Sequence, residues 1–344
     1  MDGPPHWSSY QWRALLEACL KEEGPLFLSC QGRVSSKMQQ LILPVLLASF
    51  WTICTGSADW CYQSQFTCDN QCNTPGLWGK TYSTCDGNSQ SPINIITRKT
   101  LKDERLTPFI FTNYREIFSD AMTNVGHSVK VGVPHLSTIS GGGLPTTYKA
   151  VEFHIHWGNN ERPGSEHTID GEQYPMELHI VHIKNDYTDV PTALADPEGV
   201  AVLGFFFETS NRTNQMYNPI ISALPSITAL DSETPLESIS LAQLIPPVKN
   251  LTSFYRYKGS LTTPECNEAV IWTVFESTIP LSMDQLMAFS EVQFKDGTPM
   301  VGNFRPVQPL NGRQVFRSGG AVILVSSTLL LAAIAAALGL SQPN

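Results

Sequence analysis

Histidines are concentrated in one short stretch of the chain. Five of the eight fall between residues 154 and 182. In a β-strand over residues 152–157, Glu152, His154 and His156 would share one face, with the two imidazoles about 7 Å apart at the backbone. Residues 177–181 repeat the alternation, with Glu177 and His179 on one face. If the two strands are neighbours, three imidazoles converge beside two carboxylates.

Three neutral imidazoles with an open fourth position are typical of a catalytic zinc site, whereas a structural site is closed by a fourth protein ligand, often a thiolate. No cysteine lies between residues 152 and 182. The alternative is that these histidines are ordinary half-buried strand residues, because periodicity alone does not establish a ligand. The pattern therefore favours a catalytic metal centre without proving one.

The elements around the histidines have the pattern of strands. Short runs rich in β-branched and aromatic residues, separated by glycine-rich turns, cover residues 150–157, 176–183, 200–208 and 269–275. Helical periodicity is short and is best over residues 283–289. No repeat or linker interrupts residues 59–316. We therefore predict a single, mainly β (α+β) domain around a mostly antiparallel sheet.

The overall composition narrows the classes of partner. A charged fraction of 15% and a hydrophobic fraction of 42% are ordinary for a globular domain and exclude a disordered chain. The formal charge of −9, with no basic stripe, argues against nucleic acid as a partner. A small-molecule partner is expected instead, and protein partners are not predicted.

The N-terminal end has the pattern of a processing signal. Residues 41–53 are nearly all apolar, Arg33 and Lys37 precede them, and small residues follow at 56–58. We interpret residues 38–58 as a signal peptide rather than a buried core helix. Residues 1–37 make little sense in front of such a signal, so we predict that translation begins at Met38. The mature domain then covers residues 59–317.

The C-terminal end carries a second apolar run, over residues 321–340. No Lys or Arg follows it, as would be usual for a stop-transfer helix. Residues 318–344 therefore fit a glycolipid (GPI) anchor signal, with Ser318 as the predicted attachment residue. The alternative is a single-pass transmembrane helix. Either form would hold the protein at the extracellular face of the plasma membrane.

Cysteines and glycosylation sequons agree with secretion. Outside the two processing segments the cysteines are Cys61, Cys68, Cys72, Cys85 and Cys266. An oxidising compartment favours disulfides, and the odd count leaves one thiol over. Sequons begin at Asn211 and Asn250.

The region from Ser165 to Val181 resembles the signature of the α-class carbonic anhydrases. It contains Ser165-Glu166-His167-Thr168-Ile169 and Tyr174-Pro-Met-Glu177-Leu-His179. Further landmarks occur in family order: Ser91-Pro-Ile-Asn94, Gly126-His127-Ser128, Phe153-His-Ile-His-Trp-Gly158, Gly259-Ser-Leu-Thr-Thr-Pro264 and Asn303-Phe-Arg-Pro306. They cover nearly all of residues 59–316, and the two ends most resemble the membrane-anchored carbonic anhydrase IV group. The resemblance implies one domain around a twisted sheet of about ten strands.

The resemblance also implies an activity and its residues. The activity is the reversible, zinc-dependent hydration of carbon dioxide to bicarbonate and a proton. His154, His156 and His179 would hold Zn²⁺, with hydroxide in the fourth position as nucleophile. Thr262 and Glu166 would orient that hydroxide, since an ionised carboxylate only accepts hydrogen bonds.

Other positions that match the family pattern would carry the proton and hold the substrate. His127 matches the proton shuttle, and Thr263 would line the substrate position. An apolar wall for carbon dioxide, which would also serve as core packing, matches Val181, Val202, Leu261, Val270 and Trp272.

Two carboxylates are expected behind the metal ligands, because zinc-bound histidines usually donate their other ring proton to a carboxylate or carbonyl. Glu177 fits the family pattern. Glu152 departs from it, since glutamine is usual at that place. A carboxylate there would make His154 more basic, or it would be protonated or turned aside.

The resemblance further implies the disulfides Cys85–Cys266 and Cys61–Cys72. The second leaves Cys68 over, and a Cys61–Cys68 bridge stays possible.

Two alternatives of function remain: a catalytically silent, carbonic-anhydrase-like binding domain on the cell surface, and a zinc hydrolase of another kind. The first arises by loss of a zinc histidine, and all three are present here.

Overall fold

The computed structural model describes residues 60–67, 72–134, 136–159 and 162–319. The predictions on the extension, the signal peptide, the apolar tail and Cys68 lie outside these residues. Among the described residues, no helix combines the length and the apolar character needed to cross a membrane.

Strands make up most of the regular structure. They are β1 (Asn94–Ile95), β2 (Leu101–Lys102), β3 (Phe109–Thr112), β4 (Phe118–Asn124), β5 (Val129–Gly132), β6 (Thr138–Gly141), β7 (Tyr148–Trp157), β8 (Thr168–Ile169), β9 (Glu172–Gln173), β10 (Met176–Lys184), β11 (Val200–Ser210), β12 (Glu233–Ile239), β13 (Phe254–Gly259), β14 (Val270–Ser282) and β15 (Phe316–Arg317). Their content of β-branched and aromatic residues suits a pleated, buried surface.

Helices are short. The α-helices are α1 (Val190–Ala193), α2 (Asn218–Ala223), α3 (Leu241–Leu244) and α4 (Met283–Ala288). The 3₁₀ turns cover Gln63–Gln65, Pro75–Lys80, Ser83–Asp86, Thr97–Lys99, Gln215–Tyr217, Leu224–Ser226, Val248–Asn250 and Phe289–Glu291. Helix α4 begins at a capping box, in which Ser282 and Gln285 bond each other's backbone amides.

The strands form one 12-stranded sheet and a small three-stranded sheet. The large sheet runs β12-β4-β5-β7-β10-β11-β14-β13-β15-β2, with β6 joining β7 to β3 at one side. The small one is β1-β8-β9. Strand β10 lies inside the large sheet, between β7 and β11, and all of its residues but the last are buried. The prediction of a mainly β domain is therefore confirmed.

The sheet is mixed rather than purely antiparallel. Strands β11 and β14 pair in parallel, with Val202 opposite Trp272. Parallel neighbours need a long crossover connection, and the chain between residues 211 and 269 provides it. Apolar residues cover both faces, so one core includes Phe153, Leu178 and Phe275. The other includes Val202 and Trp272.

Candidate metal centre

Strands β7 and β10 are antiparallel neighbours, as the convergence of the histidines requires. His154 lies opposite His179, and His156 lies opposite Glu177. Side chains directly opposite on one face of an antiparallel pair are close. The pairing therefore brings His154, His156 and His179 together; these three residues are called the histidine triad below.

The rings of the triad face a common point. Their centroids are 5.2 Å apart for His154–His156, 5.2 Å for His154–His179 and 4.7 Å for His156–His179. One nitrogen of each ring lies within 4.8 Å of the others. Nε2 of His154 and Nδ1 of His179 are 3.3 Å apart. Three nitrogens at this spacing can share one ion.

The other nitrogen of each triad ring already has a partner. Nδ1 of His154 is 2.9 Å from Glu152 Oε1, and Nδ1 of His156 is 2.7 Å from the Asn303 carbonyl oxygen. Nε2 of His179 is 2.8 Å from Glu177 Oε1. Such partners set the tautomer of a metal-binding histidine and turn its free nitrogen toward the ion.

The donor set fits a metal ion. Nε2 of His156 is buried yet has no hydrogen-bond partner, an arrangement that is costly unless something else satisfies the atom. Burial lowers the pKa of His156 well below its ordinary value, and burial also lowers the pKa of His179 to about 4. Both rings are therefore neutral at pH 7, which is the form that binds metal.

Glu177 is the centre of a buried hydrogen-bond network. Its Oε2 accepts from the amides of Glu166 and His167, at 2.9 and 2.8 Å, and its Oε1 lies 2.7 Å from Nδ1 of His167. Burial alone would raise its pKa, but His167 and His179 hold the pKa of Glu177 well below its ordinary value. Gly204 leaves room for this carboxylate, since a Cβ there would lie 3.1 Å from Oε1.

His167, Glu177 and His179 also have a spacing compatible with a metal ion. Hydrogen bonds account for this cluster, because Nε2 of His167 is 2.7 Å from the Tyr257 hydroxyl and both histidines bond the carboxylate. The triad is therefore the better candidate for a metal.

The Glu152 side chain points at the triad. Besides its contact with His154, Glu152 pairs with Lys130, whose Nζ is 3.6 Å from Oε2. Burial alone would raise its pKa, yet the hydrogen bond with His154 and the charge of Lys130 hold the pKa of Glu152 below its ordinary value. Of the arrangements considered from sequence, the structure has the ionised carboxylate facing His154.

Glu166 lies at the inner side of the triad. Its Oε1 accepts from the Arg305 amide at 2.8 Å, and its Oε2 is 3.4 Å from Nε2 of His156. Burial raises the pKa of Glu166 well above its ordinary value, although the Arg305 amide and the Thr262 hydroxyl oppose that rise. Thr262 itself is buried, and Thr263 is half-buried. The resemblance paired Glu166 with Thr262, and the fold brings them together.

The expected apolar wall forms a row beside the triad. Val181 lies opposite Val202, which in turn lies opposite Trp272 across β10, β11 and β14. The ring of Trp272 is 4.8 Å from that of His179. Val270 and Leu261 belong to the same apolar cluster.

His127 lies in the loop between β4 and β5 and is half-buried. Its ring is 5.1 Å from that of Trp60, and its backbone carbonyl accepts from Asn303 Nδ2 at 3.2 Å. Burial, with a contribution from the charge of His154, lowers the pKa of His127 to about 4.

Both expected disulfides are present. Cys85 is bonded to Cys266 across a sequence separation of 181, and Cys61 is bonded to Cys72. The first ties the loop that carries Thr262 to the N-terminal part of the domain.

The predicted sequon residues Asn211 and Asn250 are both exposed.

Ser318, the predicted attachment residue, is the last but one described residue. It is buried, and its hydroxyl donates to the Thr252 carbonyl at 2.7 Å and accepts from the Phe254 amide at 3.1 Å.

Sequence reasoning assigned no role to several residues that support the site. These are Trp60, Lys130, His167, Gly204, Tyr257, Asn303 and Arg305. His167 and Asn303 stood within recognised motifs, so a signal for them existed. No sequence signal indicated Lys130, because its pairing with Glu152 depends on β5 lying beside β7.

Comparison with known proteins agrees with this geometry. Residues 73–319 match the model of the eukaryotic-type carbonic anhydrases. Carbonic anhydrase 4 of Rattus norvegicus is 38% identical over 294 residues, covering 84% of this chain and 94% of the rat protein. Carbonic anhydrase 15 of Mus musculus is 36% identical over 303 residues, covering 84% and 92%. Carbonic anhydrase 12 of Homo sapiens is 38% identical over 251 residues, covering 70% of each. The chain belongs to the eukaryotic-type carbonic anhydrases, enzymes that interconvert carbon dioxide and bicarbonate.

Proposed function

We propose that this carbonic anhydrase uses Zn²⁺, held by the histidine triad, for the reversible hydration of carbon dioxide at the extracellular membrane surface. The observation that carries the zinc assignment is the convergence of three imidazoles, with Nε2 of His156 buried and without a hydrogen-bond partner. Zinc, when bound, supplies a Lewis acid that makes hydroxide available at neutral pH, a property for which carbonic anhydrase is the standard example.

Thr262 and Glu166 aim the attacking hydroxide. Burial raises the pKa of Glu166, but the hydrogen bonds from the Arg305 amide and the Thr262 hydroxyl favour its ionised form. In that form the carboxylate only accepts, so the Thr262 hydroxyl must donate to it. The Thr262 oxygen is then free to accept a hydrogen bond from the hydroxide, which directs the nucleophile's lone pair at the carbon of carbon dioxide. The burial of both residues supports this role, since a dry site strengthens such hydrogen bonds.

Carbon dioxide is held against the apolar row of Val181, Val202 and Trp272, with Leu261 and Val270 completing the wall. An uncharged substrate that offers few hydrogen bonds suits an apolar surface. The half-buried Thr263 lines the substrate position on the side of the triad. Bicarbonate leaves once water replaces it.

His127 carries the released proton to the solvent. An imidazole can accept and pass on a proton near neutral pH. Burial lowers its pKa to about 4, so efficient transfer requires the ring to leave its contact with Trp60 and enter a more hydrated position.

The decisive test measures carbon dioxide hydration by stopped flow together with the zinc content of the secreted protein. We expect fast hydration with one zinc per chain, and loss of both in His154→Ala. A matched control is His182→Gln on the same strand, whose ring contacts Tyr114 rather than the triad; it should keep its zinc. Folded protein without zinc would contradict the proposal.

The extracellular location has separate support. Two disulfides indicate an oxidising compartment, and both sequons are exposed. Attachment of a glycolipid at Ser318 would place the lipid directly after β15, which lies between β13 and β2. A phosphatidylinositol-specific phospholipase should release the enzyme from intact cells. Retention after this treatment would favour the single-pass alternative.

A further inference from the structure

A cavity of about 480 Å³ opens at the β13 side of the large sheet, and no triad residue lines it. Four basic residues line it, Arg105, Arg256, Lys258 and Arg313, against two acidic ones, Asp103 and Glu198. A cluster of this sign is unexpected on a chain of formal charge −9. The cavity therefore has a local charge opposite to that of the whole molecule.

Arg256 is the unusual member of this lining. The residue is only 7% exposed, and its guanidinium carbon lies 5.9 Å from the ring centres of both Phe109 and Phe254. Nε and Nη2 donate to Thr273 Oγ1, at 3.2 and 2.9 Å. Within the described residues, Nη1 has no acceptor and no carboxylate lies within 4.0 Å of the guanidinium. A buried cation without a carboxylate in direct contact is costly.

The neighbouring carboxylates form their direct ion pairs with other residues, although Asp103 still attracts Arg256 at longer range. The carboxylate of Asp103 pairs with Arg105 at 2.8 Å, and that of Glu198 pairs with Lys258 at 2.5 Å. Arg313 donates only to backbone carbonyls, among them Gln90 and Lys258. Burial lowers the pKa of Arg256 to about 10, which leaves it charged at pH 7. Asp103 attracts Arg256, and Glu268 attracts Arg313, only at longer range. Within the described residues, neither guanidinium therefore has a carboxylate as a direct ion-pair partner.

We propose that this cavity binds a phosphate-class oxyanion, with the Nη1 edge of Arg256 as its principal donor. Guanidinium groups match the geometry of such anions and form strong, charge-assisted hydrogen bonds with them. The anion would be either free inorganic phosphate or a phospholipid headgroup. Phe316, on the last strand before the predicted anchor, forms one wall of the cavity. Binding of a phospholipid headgroup, unlike binding of free phosphate, therefore also rests on the membrane location proposed above.

The test is titration of the secreted, zinc-loaded protein with inorganic phosphate by calorimetry at constant ionic strength. We expect saturable binding that is about 10-fold or more weaker in Arg256→Gln, since a charged hydrogen bond is removed. Arg115→Gln is the control, because it removes the same charge from an exposed site outside the cavity. Phosphate bound at the metal centre would be unchanged in both variants. No saturable binding, or equal binding in Arg256→Gln, would overturn the proposal.

A second pair of variants changes an exposed residue at the cavity and leaves the buried Arg256 intact. Pro145 is exposed at the cavity. Pro145→Glu adds a negative charge there and should weaken phosphate binding, whereas the uncharged Pro145→Gln should keep it. Equal affinity in the two variants would contradict an anion in this cavity, even if Arg256→Gln failed to fold.

Vesicles identify the source of the anion. If a headgroup is bound, the protein should co-sediment with phosphatidylcholine vesicles that contain phosphatidic acid, and Arg256→Gln should not. Phosphate binding without such co-sedimentation would assign the site to a free anion. Because the calorimetry uses soluble protein and no substrate, it is independent of both the catalytic activity and the membrane location.

Discussion

Oε1 of Glu152 lies 2.9 Å from Nδ1 of His154, so a carboxylate faces the outer side of a candidate zinc ligand. The family usually has glutamine here, which would offer a neutral carbonyl. A negative charge on this hydrogen bond makes His154 a stronger electron donor to the metal. With zinc bound as proposed, this would raise the pKa of the water on the metal.

Glu152→Gln should therefore move the pH profile of kcat/KM to lower pH, by up to about one unit, because an interaction of about 1.4 kcal/mol shifts a pKa by that much. Stopped-flow hydration between pH 5 and 9 measures the shift. Superimposable profiles would contradict this role of the carboxylate.

Lys130→Met provides the opposing change. Lys130 Nζ is 3.6 Å from Glu152 Oε2 and adds a positive charge near the triad. Its removal should move the same profile to higher pH. In a double variant the effect of Lys130→Met should shrink, since interacting residues are not additive. Full additivity would show that Lys130 acts independently of Glu152.

Glu166→Gln should lower kcat/KM about 100-fold, a loss typical of misplacing a reacting group, while the zinc content stays unchanged. An amide can donate its own proton to the Thr262 oxygen, so the hydroxyl loses its fixed orientation. Thr262→Ala should lose a similar factor, and Thr262→Ser should keep most of the activity. The double variant Glu166→Gln/Thr262→Ala should be no worse than either single variant. Multiplied losses would mean that the two residues do not act as a unit.

His127→Ala should lower kcat about 10-fold or more in weak buffer and leave kcat/KM nearly unchanged, because proton export follows the chemical step. Small imidazole buffers should restore the rate. Failure of this rescue would argue against a shuttle.

Trp60→Ala tests the packing of the same imidazole. Burial against Trp60 contributes to the lowered pKa of His127, about 4 against a usual 6.5. Removing the indole should raise that pKa toward 6.5, as measured by NMR titration. An unchanged pKa would show that other neighbours set it.

His182 should make stability depend on pH. Its ring is fully buried against Tyr114, and burial lowers its pKa to about 4. The unfolded chain therefore binds a proton first, near pH 6.5, so the contribution is fully present above that pH. It is lost as pH falls toward 4, up to a total of about 3 kcal/mol.

In His182→Gln the free energy of unfolding should fall less steeply between pH 6.5 and 4, by at most about 1.4 kcal/mol per pH unit. Urea unfolding of the zinc-loaded protein and variant at several pH values measures this difference. Parallel curves would mean that His182 is not the group responsible.

The triad and its strand faces could be predicted from sequence because strand alternation is a local property. Residues two apart on one strand share a face whatever the rest of the chain does. The facing of His154 and His179 needed only the pairing of β7 with β10. The size of the sheet came from the family resemblance, which implied about ten strands where the large sheet has 12. Short strands such as β2 and β15 carry little periodicity of their own.

Other parts of the site depend on segments far apart in the sequence. The partner of His156 is the carbonyl of Asn303, 147 residues away. A backbone carbonyl leaves no mark in side-chain patterns, so no spacing rule indicates it. The same is true of the Arg305 amide that bonds Glu166 across 139 residues.

The sequence by itself thus determined the shared strand faces of the candidate ligands and, through motif order, the family and its activity. Only the tertiary structure decided which carboxylate or carbonyl orients each ring, that Glu152 pairs with Lys130, and that Arg256 is buried with no carboxylate among its described contacts. The physical reason is that alternation and motifs act over a few residues. Hydrogen bonding and desolvation instead depend on which distant segments the folded sheet brings into contact.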